Sequence, residues 1–134
     1  MNGCGCQSVS TLFTLARGGV CTTTTDEQTL ESSLDVSSFD ALDLMLNVWF
    51  DNPGDAPSPT ISIDVITGNQ LRTKNGWFTV GSFSAVTSNQ DNGRFVRVAN
   101  GLSQFIRWRV TNYLTTGSTA ARFRITGIGR LCSR

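Results

Sequence analysis

The chain has 134 residues, a length that suits one domain with a single hydrophobic core. It contains no histidine, which excludes the Ser-His-Asp, Cys-His and histidine-metal sites on which many enzymes depend. The formal net charge is +1 and no run of about 18 apolar residues could span a bilayer, so no membrane partner is expected. The start of the chain lacks the basic and apolar parts of a secretory signal, which predicts synthesis in a cytoplasm.

Residues 1–29 are predicted to form an extended N-terminal arm. They are rich in Gly, Ser and Thr and contain one short apolar island with Phe13 and Leu15. Arms of this composition are either disordered or ordered on a neighbouring molecule, and in the second case Phe13 and Leu15 are the expected contact points. Residues 30–134 are then predicted to form the folded domain.

The remainder of the chain is predicted to form strands separated by turns. Alternating apolar residues and turn signals predict strands over residues 39–50, 60–67, 77–83, 94–98, 105–111 and 120–128. Asn75-Gly76 and Asn100-Gly101 are turn dipeptides, and the proline-rich segment 51–59 is predicted to be a loop. This succession predicts an all-β antiparallel β-sandwich, jelly-roll-like in layout.

Acidic and basic residues are sorted along the chain. Residues 1–64 contain nine acids and one base, whereas residues 65–134 contain ten bases and one acid. One interpretation is that early and late strands pair within a subunit and place opposite charges across from each other. The other is that the acidic surface of one subunit meets the basic surface of the next, which would give a homo-oligomer.

Four arginines form a candidate basic interface on the last two predicted strands. Arg107, Arg109, Arg122 and Arg124 would share one face if those strands are neighbours. Arginine beside an aromatic residue also suits nucleic acid. However, acids in the earlier strands are available to pair with these arginines, so nucleic acid is not the expected partner.

Two tryptophans are candidates for stacking on a sugar, which is the alternative function. Trp49 lies on the polar face of its predicted strand, and Trp77 begins a strand beside a turn, whereas Trp108 lies between apolar neighbours and is assigned to the core. A carbohydrate-binding module that recognises a cell-surface glycan would use Trp49 and Trp77.

The remaining chemistry predicts no catalytic residue, no cofactor and no metal, and hence a protein that is not an enzyme. Cys4, Cys6, Cys21 and Cys132 lack the usual zinc spacing. They are expected to be free thiols in a cytoplasm, with a bond from an N-terminal cysteine to Cys132 as the alternative outside the cell. The acids between residues 51 and 55 lack the spacing of a calcium loop.

Several segments in order resemble a family of small tailed-phage and prophage-like virion proteins. They are Ser33 to Leu44 (SLDVSSFDALDL), Pro59 to Ile63 (PTISI), Asn75 to Phe83 (NGWFTVGSF), Phe105 to Val110 (FIRWRV) and Ala121 to Ile125 (ARFRI). In that family an opening strand, a Gly-Trp-x-x-x-Gly-Ser-Phe hairpin and an arginine-rich penultimate strand recur. The likeness covers residues 30–130.

The resemblance implies a virion structural protein made in the host bacterial cytoplasm. Capsid decoration is the first expectation and a neck or tail position the second. The implied partners are the major capsid protein or other virion proteins and further copies of the chain, with a trimer as the favoured oligomer. A bacterial protein with a phage-derived fold and another role is the remaining alternative, because fold does not fix function.

Overall fold

The computed structural model describes residues 6–21, 26–50, 59–87, 93–114 and 121–132, with the backbone alone for 6–21 and for residue 132. In these residues the protein is nearly all β, with one short 3-10 helix, Leu30–Ser32. The strands are β1 (Cys6–Cys21), β2 (Leu34–Asp35), β3 (Ala41–Phe50), β4 (Thr60–Gly68), β5 (Phe78–Ser82), β6 (Val86–Thr87), β7 (Arg94–Val98), β8 (Phe105–Leu114) and β9 (Ala121–Cys132).

The strands form two antiparallel sheets with a nested pairing. β1 pairs with β9, β2 with β8, β3 with β7 and β4 with β5, so that early strands pair with late ones from the outside of the chain inwards. Further pairing of β3 with β9 and of β4 with β8 joins these pairs. The result is a four-stranded sheet, β1-β9-β3-β7, and a five-stranded sheet, β2-β8-β4-β5, with β6 beside β4.

One hydrophobic core contains residues of both sheets. Alternate residues of β3 and of β4 are buried, as period two requires when one face of a strand is covered. They are Leu42, Leu44, Leu46, Val48, Ile61, Ile63 and Val65, and they belong to one cluster with residues of β7, β8 and β9. Trp108 of β8 packs edge-on against Phe123 of β9, with ring centroids 4.8 Å apart. The two sheets therefore stabilise each other through shared apolar burial.

The predicted all-β class and most predicted strands are confirmed. Six of the nine strands begin within two residues of the predicted positions, and Gly76 and Gly101 in the predicted turns both have φ of 84°. Trp108 packs against the core cluster, as predicted. The short strands β2 and β6 were not predicted, and residues 51–58 of the predicted proline-rich loop lie outside the described residues.

The segment predicted as an arm contains a strand. Residues 6–21 form β1, which pairs antiparallel with β9 of the same chain and lies at an edge of the four-stranded sheet. The register of this pairing shifts at three places. Among the described residues, no helix is long and apolar enough to cross a membrane.

Candidate interaction surface

The face of the four-stranded sheet that points away from the core carries apolar side chains and arginines together. We call it the arginine-aromatic face and define it by Asp43, Met45 and Trp49 of β3, Phe95 and Arg97 of β7, and Arg122, Arg124, Ile128 and Arg130 of β9. Register explains the grouping, because Trp49 lies opposite Arg122, Met45 opposite Phe95, and Asp43 opposite both Arg97 and Ile128.

The apolar members of this face are exposed. Phe95 is 56% exposed and Trp49 47%, and Met45 and Ile128 are each 39% exposed. These side chains lie at the positions of their strands that point away from the core, where polar residues are usual. Met45, Phe95 and Ile128 form a contiguous apolar centre, which makes this face a candidate binding surface.

A shallow depression lies within the apolar centre. Its walls are Met45, Phe95 and Ile128, and the smaller residues Thr126 and Gly127 leave space between them, with a volume of about 170 Å³. A cavity of about 150 Å³ can hold a benzene molecule. The depression therefore has room for one apolar side chain of a partner.

Asp43 is clamped between two arginines at one end of the face. Its carboxylate accepts hydrogen bonds from Nε of Arg97 at 2.7 Å and from Nε of Arg130 at 2.6 Å. Asp43 is only 8% exposed, while the Arg97 side chain is 57% exposed. The hydrogen bonds from Arg97 and Arg130 keep the pKa of Asp43 below its ordinary value, although burial alone would raise it. The clamp fixes both guanidinium groups in position.

The opposite end of the face combines Trp49 with two arginines. The Arg124 guanidinium lies over the Trp49 ring, 5.6 Å from its centroid, at a distance that permits a cation–π interaction. Arg122 lies opposite Trp49 in the β3–β9 register and, like Arg124, is exposed. This end therefore presents an aromatic ring and positive charge together.

The predicted basic interface of Arg107, Arg109, Arg122 and Arg124 is wrong as a single surface. The expectation required β8 and β9 to be neighbours, but β8 pairs with β2 and β4, whereas β9 pairs with β1 and β3. Arg122 and Arg124 belong to the arginine-aromatic face, while Arg107 and Arg109 are in the other sheet. Arg109 donates a hydrogen bond to Thr79, which contacts Asp64.

Arg107 is buried and holds a covering segment on the five-stranded sheet. Only 1% of it is exposed. Its Nη1 donates to the Gln28 carbonyl at 2.8 Å and lies 3.6 Å from Glu27, and its guanidinium lies 4.3 Å from the centroid of the Trp77 ring. Burial lowers the pKa of Arg107. Its place under Glu27 and Trp77 makes Arg107 a structural residue.

Glu27 links this buried arginine to the surface. It contacts Lys74 at 2.7 Å as well as Arg107. Burial raises the pKa of Glu27, but the two cations lower it further than burial raises it, and the pKa lies below its ordinary value. Together with the Asp43 clamp, these pairs confirm that acids of the first half of the chain meet bases of the second half within one subunit.

Trp77 is an anchor of the five-stranded sheet. Its indole nitrogen donates to the carbonyls of Gln70 and Thr73, both at 3.1 Å. A Cβ on Gly68 would lie 2.5 Å from the ring, so only glycine permits this approach. Because Arg107 and Gly68 also pack on Trp77, its ring is not available as a sugar-stacking platform. Of the two predicted stacking residues, Trp49 alone keeps a largely exposed ring.

Several predicted features fall outside the described side chains. Phe13 and Leu15 lie in β1, where Phe13 is opposite Gly127 in the register and Leu15 is at an irregularity, and their side chains are not described. Cys4 is outside the described residues, and Cys6 lies opposite Cys132 in the register. No group of three or more potential metal ligands occurs among the described residues.

Apart from Trp49, the apolar part of the arginine-aromatic face was missed by the sequence analysis. The signal was present, because Met45 and Trp49 in β3, Phe95 in β7 and Ile128 in β9 each break the polar phase of an alternating strand. Four apolar residues at polar positions on three strands indicate a second apolar face. The sequence does not show that these residues are neighbours, because that depends on how the strands pair in the sheet.

Comparison of the chain with protein-family models, with curated proteins and with solved structures finds no match. The functional interpretation therefore depends on the residues and their geometry.

Proposed function

We propose that the chain is a non-enzymatic virion structural protein that acts as a capsid decoration protein. It would bind the head lattice, with the major capsid protein as partner, and stabilise it through subunit–subunit contacts. The arginine-aromatic face carries the proposal. Trp, Phe, Met and Arg are residue types enriched in protein–protein interfaces. Of the charged types that are depleted there, Lys and Glu do not occur among the residues that define this face, and its one aspartate is paired with Arg97 and Arg130.

We take the two sheets to be the halves of a β-sandwich with jelly-roll-like connectivity. The nested pairing of β1 with β9, β2 with β8, β3 with β7 and β4 with β5 supports this assignment, as does the core shared by both sheets. Jelly rolls made of two sheets of antiparallel strands recur in viral capsid and lectin domains. In this proposal residues 30–134 are the sandwich domain and residues 1–29 are the arm, of which residues 6–21 pair with β9 and residues 26–28 pack on β8.

The proposal is tested on particles. Nuclease-resistant particles from a culture that produces the protein should contain it at a fixed ratio to the major capsid protein, measured by quantitative mass spectrometry. Electron microscopy then distinguishes a head position from the neck or tail position, which is the second choice within the virion. Particles made without the protein should release DNA at a lower temperature. Absence of the protein from purified particles contradicts a virion role.

A glycan-binding role is the alternative, and the exposed ring of Trp49 favours it. An exposed aromatic ring can serve as a stacking platform for a sugar, but Arg124 already lies over this one. Titration with cell-surface glycans, followed by tryptophan fluorescence, tests this role. Saturable binding that Trp49→Ala abolishes and Trp77→Phe retains would support it. Unchanged fluorescence at all glycan concentrations would remove it.

A further inference from the structure

The charge of the arginine-aromatic face points to an acidic partner surface. The residues that define the face include four arginines and one aspartate, and Asp43 is already engaged by two of the arginines. Two copies of this face would repel each other if they met directly. An acidic surface is therefore the expected counterpart.

The same chain carries such a surface along one edge of the five-stranded sheet. Residues 26–35 contain four acids and no base, and we call this segment the acidic edge. The backbone of the segment is fixed on β8, because Val110 donates to the Asp26 carbonyl, Gln28 donates to the Trp108 carbonyl, and Leu34 pairs with Ile106. The acidic edge is thus an ordered surface.

Part of the acidic edge is available to another molecule. Glu27 is engaged by Lys74 and Arg107, but Glu31 and Asp35 are exposed. Leu30 and Glu31 lie next to each other in the 3-10 helix, in which no residue is buried. An exposed carboxylate beside a partly exposed leucine is the chemical complement of arginines around an apolar depression.

We propose, on the basis of the assembly role given above, that the partner of the arginine-aromatic face is the acidic edge of a second copy of this chain. Leu30 of one copy enters the depression between Met45 and Phe95 of the next, and Glu31 approaches Arg124. Because the two surfaces lie on different sheets of one subunit, the contact is head-to-tail. Such contacts close into a ring or continue as a chain, and a ring of three agrees with the trimer expected for capsid decoration.

Matched double variants test this contact. Phe95→Ser with Arg124→Glu damages the face, and Leu30→Ser with Glu31→Arg damages the acidic edge. Leu71→Ser with Arg72→Glu is the control, because Leu71 and Arg72 are exposed in a loop outside both surfaces. Like the face variant, it replaces an exposed apolar residue with serine and reverses the charge of one arginine. Light scattering at low salt should show the oligomer for the parent and the control, and a single chain of 14.5 kDa for each damaged variant.

Mixing the two damaged variants gives the sharper result. The face variant retains an intact acidic edge and the edge variant retains an intact face, so an equimolar mixture should form a dimer of one copy each and go no further. Loss of that dimer in high salt is expected because exposed charges are screened. A mixture that stays monomeric, or an edge variant that keeps the parent oligomer, overturns the proposal.

The experiments distinguish a failure of the head-to-tail contact from a failure of the proposed virion role. A parent protein that is monomeric at every concentration and salt overturns the head-to-tail contact, yet such a protein can still be found on particles. Conversely, the mixed dimer can form for a protein that is absent from particles. Circular dichroism of each variant, with the parent spectrum expected, establishes that lost assembly is not lost folding.

Discussion

At the scale of single residues, Asp43 is held by hydrogen bonds from Arg97 and Arg130 that lower its pKa. Its low pKa in the folded protein means that it stabilises the fold at pH values above its ordinary pKa of about 3.9. This stabilisation is lost as the pH falls through the lower, folded-state value. We expect the free energy of unfolding to decrease as the pH falls below the ordinary pKa of an aspartate for this reason, with Glu27 contributing in the same direction.

Asp43→Asn tests this contribution. At pH 7 the substitution should cost about 2 kcal/mol, because it removes charge-assisted hydrogen bonds from Arg97 and Arg130. The difference from the parent should shrink as the pH falls through the lowered folded-state pKa of Asp43, because the parent carboxyl is then itself protonated. Urea unfolding at several pH values measures both quantities, with Glu31→Gln as the control. A pH-independent difference would contradict the assigned cause.

Arg107 makes a second residue-scale prediction. Arg107→Ala should destabilise the protein by about 3 kcal/mol, because it leaves Glu27 without its buried partner and Trp77 without its packing. Arg109→Ala, two residues further along β8, is the control and should cost less than about 1 kcal/mol, since its contacts are near the surface. Equal costs for the two arginines in thermal unfolding would show that burial does not distinguish them.

At the scale of elements, β1 is an edge strand that pairs with β9. It covers one edge of β9 along almost the whole length of that strand, and its removal would expose a row of unpaired backbone groups. Deletion of residues 1–21 should therefore give a protein that aggregates at micromolar concentration. A synthetic peptide of residues 6–21 should restore solubility by pairing with β9.

A scrambled peptide of the same composition is the control for this experiment. It should fail to restore solubility, because pairing requires the register of β1 on β9. If the truncated protein stays soluble, monomeric and equally stable, the pairing of β1 with β9 is not a stabilising part of the fold.

The elements also show why sequence reasoning succeeds for some strands and fails for others. β3 and β4 alternate regularly because one face of each is buried in the core, and both were predicted closely. β1 has three register shifts, and each shift changes which residues share a face, so no period of two survives in the sequence. β2 and β6 contain two residues each, which is too short for any alternation.

The candidate site was harder to predict than the fold. The alternating pattern places Arg107 and Arg109 on the same face of β8, but it does not reveal that residues 26–28 and Trp77 cover Arg107. Similarly, the arginine-aromatic face depends on which strands flank β3, and that information is absent from the local pattern. Both the burial of Arg107 and the composition of the arginine-aromatic face are set by contacts between residues that are far apart in the sequence.

At the scale of the whole molecule, the nested pairing predicts an order of folding. β4 and β5 are joined by a short connection, whereas β1 and β9 are separated by most of the chain, and loop closure costs more entropy for longer loops. The inner pair should form early and the outer pair late. Contacts between distant residues dominate the fold, which also predicts slow folding.

Two matched core substitutions test this order. Ile63→Val in β4 and Ile125→Val in β9 each remove one methylene from a fully buried side chain, and each should cost about 1 kcal/mol. In stopped-flow measurements the first should mainly slow folding and the second mainly speed unfolding. The reverse assignment would show that the outer pair forms first.

The central position of β9 in its sheet has a consequence during translation. The ribosome makes β1 and β3 first, yet the strand that lies between them emerges only after β8. Throughout that interval β1 has no partner within its own chain. On a polysome, the spacing of nascent chains therefore sets whether β1 first meets the β9 of its own chain or that of a neighbouring one.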